Sequence, residues 1–362
     1  MKRVITKKLE PGMVLADNVY TYDSGQLILI KGTVLNDKAI TKLIFYSIIN
    51  VLIEDDVEQA KEAEEIAEVQ SQSYGERLRQ TKEFQAFKKE FEGCAENFKQ
   101  VIDSAIAGKN NIDVVELTTP INELMKKGRG PNNIFDMLHN LRNYDDATYT
   151  HCINVAMISN ILAQWLKWDP KDIELATQAG LLHDIGKILI PTEIITKPAK
   201  LTNDEFSIIK THPTQGYSLV KNSDLNVHVK NAILMHHERC DGSGYPLGIK
   251  GNQIDDFAKL VAIADVYDAM TSARVYRGPL CPFMAISTFE NEGFQRYDAE
   301  MILTFLSNIV QTYLLNSVRL NNGKVGEIIF INREYLSRPT IKCGDEYIDL
   351  SATPGLFIQE VV

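Results

Sequence analysis

The stretch DPKDIELATQAGLLHDIGK, residues 169–187, decides how this chain reads. Asp169 suits the capping position of a helix, and Pro170 suits the first helical position, where its missing N–H costs nothing. The pattern predicts a helix from there to about Gly186, with His183 and Asp184 near its C-terminal end. Working outward, His151 lies upstream, where residues 144–151 open into Val155 to Ile158, Ile161, Leu162 and Trp165, the texture of a buried helix. Downstream, a helix begins at Thr202 and leads to His212-Pro213, another spans Val227 to His237, and a third covers Ala258 to Thr271 and carries Asp265. The central part of the chain is therefore all-helical and the fold class mainly α.

Five of the seven histidines fall into this ordered set with two aspartates: His151, His183-Asp184, His212, His236-His237 and Asp265. Structural zinc normally closes with four ligands, often thiolates, so this many imidazoles and carboxylates suits a divalent transition-metal centre better. Adjacent helical residues point about 100° apart. A consecutive His-Asp or His-His pair therefore contacts two neighbouring ions more readily than it chelates one. With two metals, Asp184 is the natural bridge, and the donor set points to metal-assisted hydrolysis of a phosphate ester. Lys187, three residues after Asp184, falls on the same helix face. From there it could stabilise phosphoryl charge or protonate the leaving 3′-oxygen.

The order and neighbours of these donors resemble a family. His183-Asp184-Ile185-Gly186-Lys187 matches the HD signature, and residues 236–246, HHERCDGSGYP, match the extended GYP signature. With the block from Asp265 to Arg277, they make residues from about 130 to 315 similar to the HD-GYP proteins, the bacterial cyclic di-GMP phosphodiesterase branch of the HD phosphohydrolases. The resemblance implies His183 and Asp265 at one metal, completed by His151, and His212, His236 and His237 at the other. Iron or manganese are the expected ions. Arg274 and Arg277 are candidates for contact with substrate phosphate or a guanine edge, and Asp268 for substrate contact or for orienting a ligand. Gly244, Tyr245 and Pro246 shape a loop beside the cleft, and in the family this loop is linked to GGDEF-type cyclase domains. Gly242 and Gly244 are expected to supply unusual backbone angles.

Two positions depart from the family pattern. Cys240 stands where a bulky aromatic residue is common, which is expected to loosen the loop packing. Ala147, one turn before His151, stands where some members place a metal-binding Glu and hold three ions, so two ions per chain are expected here. His139 and His228 fall outside the signature and read as surface or satisfied helix histidines.

The flanks differ in texture. Residues 1–56 read as a small strand-rich module, with a helix over Asp37 to Tyr46. Residues 57–129 form a helical spacer that either mediates signalling or dimerisation, or simply docks on its neighbours. The catalytic region spans 130–318, and 319–362 is a β-rich C-terminal extension that pairs with itself or with the N-terminal module. The five cysteines are scattered without a CxxC pair, so neither a disulfide framework nor a thiolate zinc site is suggested. A net charge of −10 argues against broad binding to DNA or RNA. No apolar run reaches the roughly 18 residues of a membrane span, and the N-terminus lacks the apolar region of a secretory signal. A cytoplasmic location is expected. The sequence thus points to a metal-dependent phosphodiesterase that linearises cyclic di-GMP to pGpG, with GMP as a further product. The alternatives are a phosphodiesterase for another cyclic dinucleotide, such as cyclic GMP-AMP, and a cyclic-dinucleotide sensor without turnover.

Overall fold

Apolar residues on every face of residues 147–165 leave that helix nowhere to lie but the interior. The computed structural model describes residues 1–21, 27–46, 48–54, 78–106, 113–128, 131–141, 147–197, 199–272 and 280–362. Taking helices in chain order, α5 (Ala147–Trp165) is the buried one, with Ile153, Val155, Ala156, Met157, Ile158, Ile161 and Leu162 fully enclosed. It packs against α6 (Pro170–Leu182) and α11 (Asp256–Thr271), and α10 (Val227–Met235) closes the group against both of the latter. Asp255 caps α11 by accepting from Phe257 N at 3.0 Å. From Leu260 to Ala264 α11 is buried on all sides, as a helix in a core must be. The donors are carried on or just beyond these four helices and at the start of α9 (His212–Val220).

The helix that starts at Pro170 ends earlier than its pattern predicts. It stops at Leu182, His183 caps it, and Ile185–Leu189 continues as a 3-10 turn with bonds from Lys187 N to Asp184 O (2.9 Å) and Ile190 N to Lys187 O (3.0 Å). This tighter path seats Gly186 directly on the backbone of α9. A Cβ there would lie 2.0 Å from the carbonyl oxygen of His212 and 2.6 Å from Gly216 N. Contact between the two backbones sets where the helix ends, and a propensity reading cannot sense it. Similarly α10 stops at Met235, with His236 as its cap, and His212 opens α9, one residue before Pro213.

The short α8 (Asn203–Ile209) begins with a capping box in which Thr202 and Glu205 satisfy each other's backbone N–H groups. After α11 come α12 (Pro282–Arg296) and α13 (Ala299–Thr312). The chain then forms an antiparallel five-stranded sheet in the order β8-β7-β6-β5-β9: β5 (Ser317–Leu320), β6 (Val325–Phe330), β7 (Thr340–Cys343), β8 (Glu346–Asp349) and β9 (Ile358–Val361). Of the two pairings open from sequence, the structure has the extension pairing with itself. Val318, Leu320, Ile328 and Ile341 join the same buried cluster as the helices. Glu290 on α12 fastens the segment after β6 by accepting from Leu336 N at 2.5 Å and Ser337 N at 3.2 Å.

At the other end, β1 (Lys2–Ile5) pairs with β4 (Asn50–Ile53), and β2 (Val19–Tyr20) pairs with β3 (Leu27–Leu29). Helix α1 (Asp37–Phe45), capped by Asn36, closes a small core of Leu15, Ile28, Leu35, Leu43, Val51 and Ile53. Residues 55–77, with Ile66 and Val69, lie outside the described residues. The rest of the spacer contains α2 (Lys82–Ile106) and α3 (Val114–Lys127). Its apolar stripe of Phe84, Phe87, Phe91 and Phe98 is buried against the rest of the same chain, so α2 docks on its neighbours. Among the described residues no helix is long and apolar enough to cross a membrane.

Candidate metal centre

Four of the five histidines in the centre are turned by a hydrogen bond at Nδ1. His183 Nδ1 donates to Gly180 O at 2.7 Å, His212 Nδ1 to Ile209 O at 2.7 Å, and His236 Nδ1 to Ala232 O at 3.0 Å. These carbonyls lie three or four residues back along the chain, so local helical geometry supplies the acceptors. His151 Nδ1 instead donates to the Asp268 carboxylate at 2.7 Å. A backbone carbonyl can only accept, so in those three rings Nδ1 donates and Nε2 is the atom turned toward the centre.

The inward-facing atoms are short of hydrogen-bond donors. His212 Nε2 and His236 Nε2 face each other at 3.2 Å, and two lone pairs attract only through a cation or a shared proton. His151 Nε2, His183 Nε2 and Asp184 Oδ1 are buried without a hydrogen-bond partner. Orphaned acceptors of this kind normally cost stability, and here they converge.

Asp184 lies between two sets of rings. Its Oδ2 is 3.2 Å from His183 Nε2 and 3.6 Å from His151 Nε2, whereas Oδ1 is 3.2 Å from His212 Nε2 and 3.7 Å from His236 Nε2. Asp265 Oδ1 is 3.1 Å from His151 Nε2, not aligned for a hydrogen bond, and Oδ2 is 3.9 Å from His237 Nδ1. The donors separate into His151, His183 and Asp265 on one side and Asp184, His212, His236 and His237 on the other, each set close enough to share an ion. Asp184 groups with the second set and turns its Oδ2 toward the first. Imidazole and carboxylate without thiolate fits a divalent transition metal. Cys152, buried beside His151, offers no thiolate, because burial and then Asp184 push its pKa far up.

Electrostatics prepares the donors. Burial works against ionising Asp184, but His183 and Lys187 outweigh it and hold the carboxyl well below its usual range. Asp265 is depressed in the same way, burial being overcome chiefly by His151. Burial drives His236 down to about 4, and with the neighbouring His236 it drives His237 well down, so both rings are neutral bases at neutral pH. His151 goes the other way: burial is overcome by Asp265 and Asp268, and its pKa rises to about 9. Lys187 Nζ lies 2.5 Å from Asp184 Oδ2, so the lysine contacts this carboxylate itself, across a 3-10 turn and not along an α-helical face.

Asp268 is better described as a ligand-orienting residue than as a substrate contact. It is fully buried, its Oδ2 holds His151, and its Oδ1 accepts from Asn154 Nδ2 and Ser272 Oγ, both at 3.0 Å. In Asp268→Asn the two donors would keep the amide oxygen, leaving the NH2 to face His151 Nδ1. That moves the ring proton to Nε2. Metal affinity is expected to fall about 10- to 100-fold, read by chelator competition, and unchanged affinity would contradict this role.

Sequence reading passed over Asn154 and Glu238. Asn154 sits three residues after His151, on the same helical face, which was the available signal. Glu238, next to the His pair, is buried and accepts from the backbone N–H groups of Leu247, Gly248 and Ile249. In the loop between, Tyr245 stacks on His237 with ring centroids 4.7 Å apart and an interplanar angle of 25°. Gly242 has the expected positive φ of +84°, but Gly244 serves close approach, since a Cβ there would lie 2.4 Å from Glu238 Cα and Arg239 N. At Cys240 the loop is fixed through backbone bonds, from Cys240 N to Arg296 O (2.8 Å) and from Gly251 N to Cys240 O (3.1 Å), which do not depend on the side chain. His228 stands apart, bonded to Asp255 and stacked on Phe257, as a satisfied helix histidine. Arg274 and Arg277 lie outside the described residues.

Residues 133–301 match the HD domain family. A cyclic di-GMP phosphodiesterase of Pseudomonas aeruginosa is 34% identical over 215 residues, 59% of this chain and 51% of that protein. The chain carries an HD-GYP domain. A cyclic di-GMP phosphodiesterase response regulator of Xanthomonas campestris is 40% identical over 135 residues, 37% of this chain and 36% of the relative. A 3′3′-cGAMP-specific phosphodiesterase of Vibrio cholerae is 32% identical over 213 residues, 57% of this chain and 49% of the relative. The similarity thus spans about half, or less, of the length of these relatives. Every donor described above lies within the HD-GYP domain, and the N-terminal strands and C-terminal sheet lie outside the family match.

Proposed function

We propose that this HD-GYP domain hydrolyses a phosphodiester bond of a cyclic dinucleotide, with cyclic di-GMP as substrate, pGpG as product and GMP following from a second cleavage. The observation that carries this reading is the convergence of buried, donor-starved Nε2 and carboxylate atoms into two sets, with Asp184 of one set turning its second oxygen to the other. Two divalent cations, iron or manganese, would supply Lewis-acid activation of the phosphate and of water. His151, His183 and Asp265 would hold one, His212, His236 and His237 the other, and Asp184 both.

The remaining work falls to the chain. Asp184 and Asp265, ionised against burial, balance the cations, and the backbone carbonyls behind His183, His212 and His236 keep the rings aimed. Lys187, already beside Asp184 and partly open to solvent, is placed to donate a proton to the leaving 3′-oxygen or to neutralise a phosphoryl oxygen. Arg274 and Arg277 follow α11 and are assigned to substrate phosphate or a guanine edge. The loop at Gly244, Tyr245 and Pro246 flanks the cleft and is the face assigned to GGDEF-domain partners. A homodimer and a cytoplasmic location complete the proposal.

The relatives named for cyclic di-GMP and for 3′3′-cGAMP support a cyclic dinucleotide and make its second base the point to test. Chromatography of products from metal-loaded protein should show faster cleavage of cyclic di-GMP than of cyclic GMP-AMP or bis(p-nitrophenyl) phosphate. A reversed order would reassign the substrate, and binding without product would make the protein a sensor. For Lys187→Ala, turnover should fall about a hundredfold while elemental analysis finds the metals retained. Metal loss in that variant would make Lys187 part of the ion site.

A further inference from the structure

Glu238 is a buried carboxylate whose hydrogen-bond partners, among the described residues, are all main chain. Its Oε1 accepts from Leu247 N at 2.6 Å and Gly248 N at 3.2 Å, and its Oε2 accepts from Ile249 N at 3.2 Å. Three N–H groups from one short segment offset the desolvation of the charge and fix that segment in all directions. The same glutamate directly follows the His236-His237 pair. A single side chain therefore joins the ligand-bearing turn to the far end of the loop that begins at Asp241.

The loop between these points folds back on the pair. Tyr245 N donates to His237 O at 3.2 Å, the Tyr245 ring lies on the His237 imidazole, and Gly244 presses on the Glu238 backbone. The tyrosine is partly exposed and the histidine side chain 17% exposed, so this stack borders the open side of the centre. The other bonds of the loop lie at its base or within its own turn, Gly242 N to Arg239 O (2.8 Å) and Ser243 N to Asp241 Oδ1 (2.9 Å), so the Tyr245 bond and the ring stack alone tie its tip to His237. The clamp at 247–249 closes it.

We propose that Glu238 is a positioning residue: by clamping residues 247–249 it holds Tyr245 on His237 as a wall of the cleft, and so sets affinity for a substrate that extends beyond the scissile phosphate. The effect on kinetics rests on the phosphodiesterase reading, whereas the clamp does not. Gln at this position keeps the shape and one acceptor oxygen, but turns an NH2 toward Ile249 N–H. Glu238→Gln should therefore lie between the wild type and Glu238→Ala.

The test compares the metal-loaded full chain with both variants by amide hydrogen exchange, metal content and kinetics. Exchange at 242–250 should accelerate about tenfold in Glu238→Gln and more in Glu238→Ala, confined to that loop. KM for cyclic di-GMP should rise about tenfold in Glu238→Gln with a smaller loss of kcat, and the KM for bis(p-nitrophenyl) phosphate should rise less. Metal loss or exchange that spreads to α10 and α11 in both variants would make Glu238 a general structural residue and overturn the proposal. A loosened loop with unchanged KM for cyclic di-GMP would do the same. If the wild type turns over neither substrate, the hydrolase reading fails alone, and the dissociation constant of cyclic di-GMP by calorimetry replaces KM with the same expected order among the three proteins.

Discussion

Asp184→Ala should lose at least about a thousandfold in turnover and most of its bound metal, because the one carboxylate it removes faces both donor sets. Asp184 Oδ2 points at His151 and His183, and Oδ1 at His212 and His236, whereas Asp265 reaches the second set only at His237, 3.9 Å away. The rings would remain, held apart from any shared anion. Lys187 would also lose its counter-ion and swing toward solvent, which its partial exposure permits. Elemental analysis beside a turnover assay checks this. A variant that keeps near-normal metal and activity would remove Asp184 from the bridging position.

The second large effect is expected far from any ligand atom. Gly186→Ala adds a single methyl group, but the space is filled by backbone, 2.0 Å from His212 O and 2.6 Å from Gly216 N. Side chains can rotate away from an intruding Cβ; a helix start cannot. The 3-10 turn and α9 must separate, which moves His212 off the centre and loosens Ile185 in the core. A loss of about 3 kcal/mol or more is expected, beyond the usual overpacking cost because the obstacle is main chain. Urea unfolding at matched metal loading measures it, with metal content as the second readout. Unchanged stability would mean that the two backbones are not in contact in solution.

Much of the architecture was legible in the residues because its signals are local. The Asp169-Pro170 start of α6, the capping residues ahead of α8, and the apolar faces of α5 and α11 are written in consecutive residues. The donors were legible as a set because histidine is scarce here and the neighbours of each donor are distinctive. What escaped the sequence depends on contacts between distant segments. The end of α6 at Leu182 is decided by Gly186 meeting α9, and the 3-10 turn that moves Lys187 onto Asp184 follows from it. The role of Asp268 needed the positions of Asn154 and His151 on α5, far from it in the chain, beside Ser272 at the end of its own helix. Glu238 likewise showed its role only when residues 247–249 folded over it. For the C-terminal extension, strand spacing gave the strands, but their self-pairing depends on apolar faces that pack on the helices.

The most direct test of the two-cation phosphodiesterase is elemental analysis of anaerobically purified protein, with the same sample assayed on cyclic di-GMP. The account predicts about two divalent transition ions per chain, in keeping with two donor sets sharing one carboxylate, and conversion to pGpG that disappears on chelation and returns with iron or manganese. One ion or none per chain with product still formed, or two ions with cyclic di-GMP bound and no product under any reconstituted metal, would contradict it.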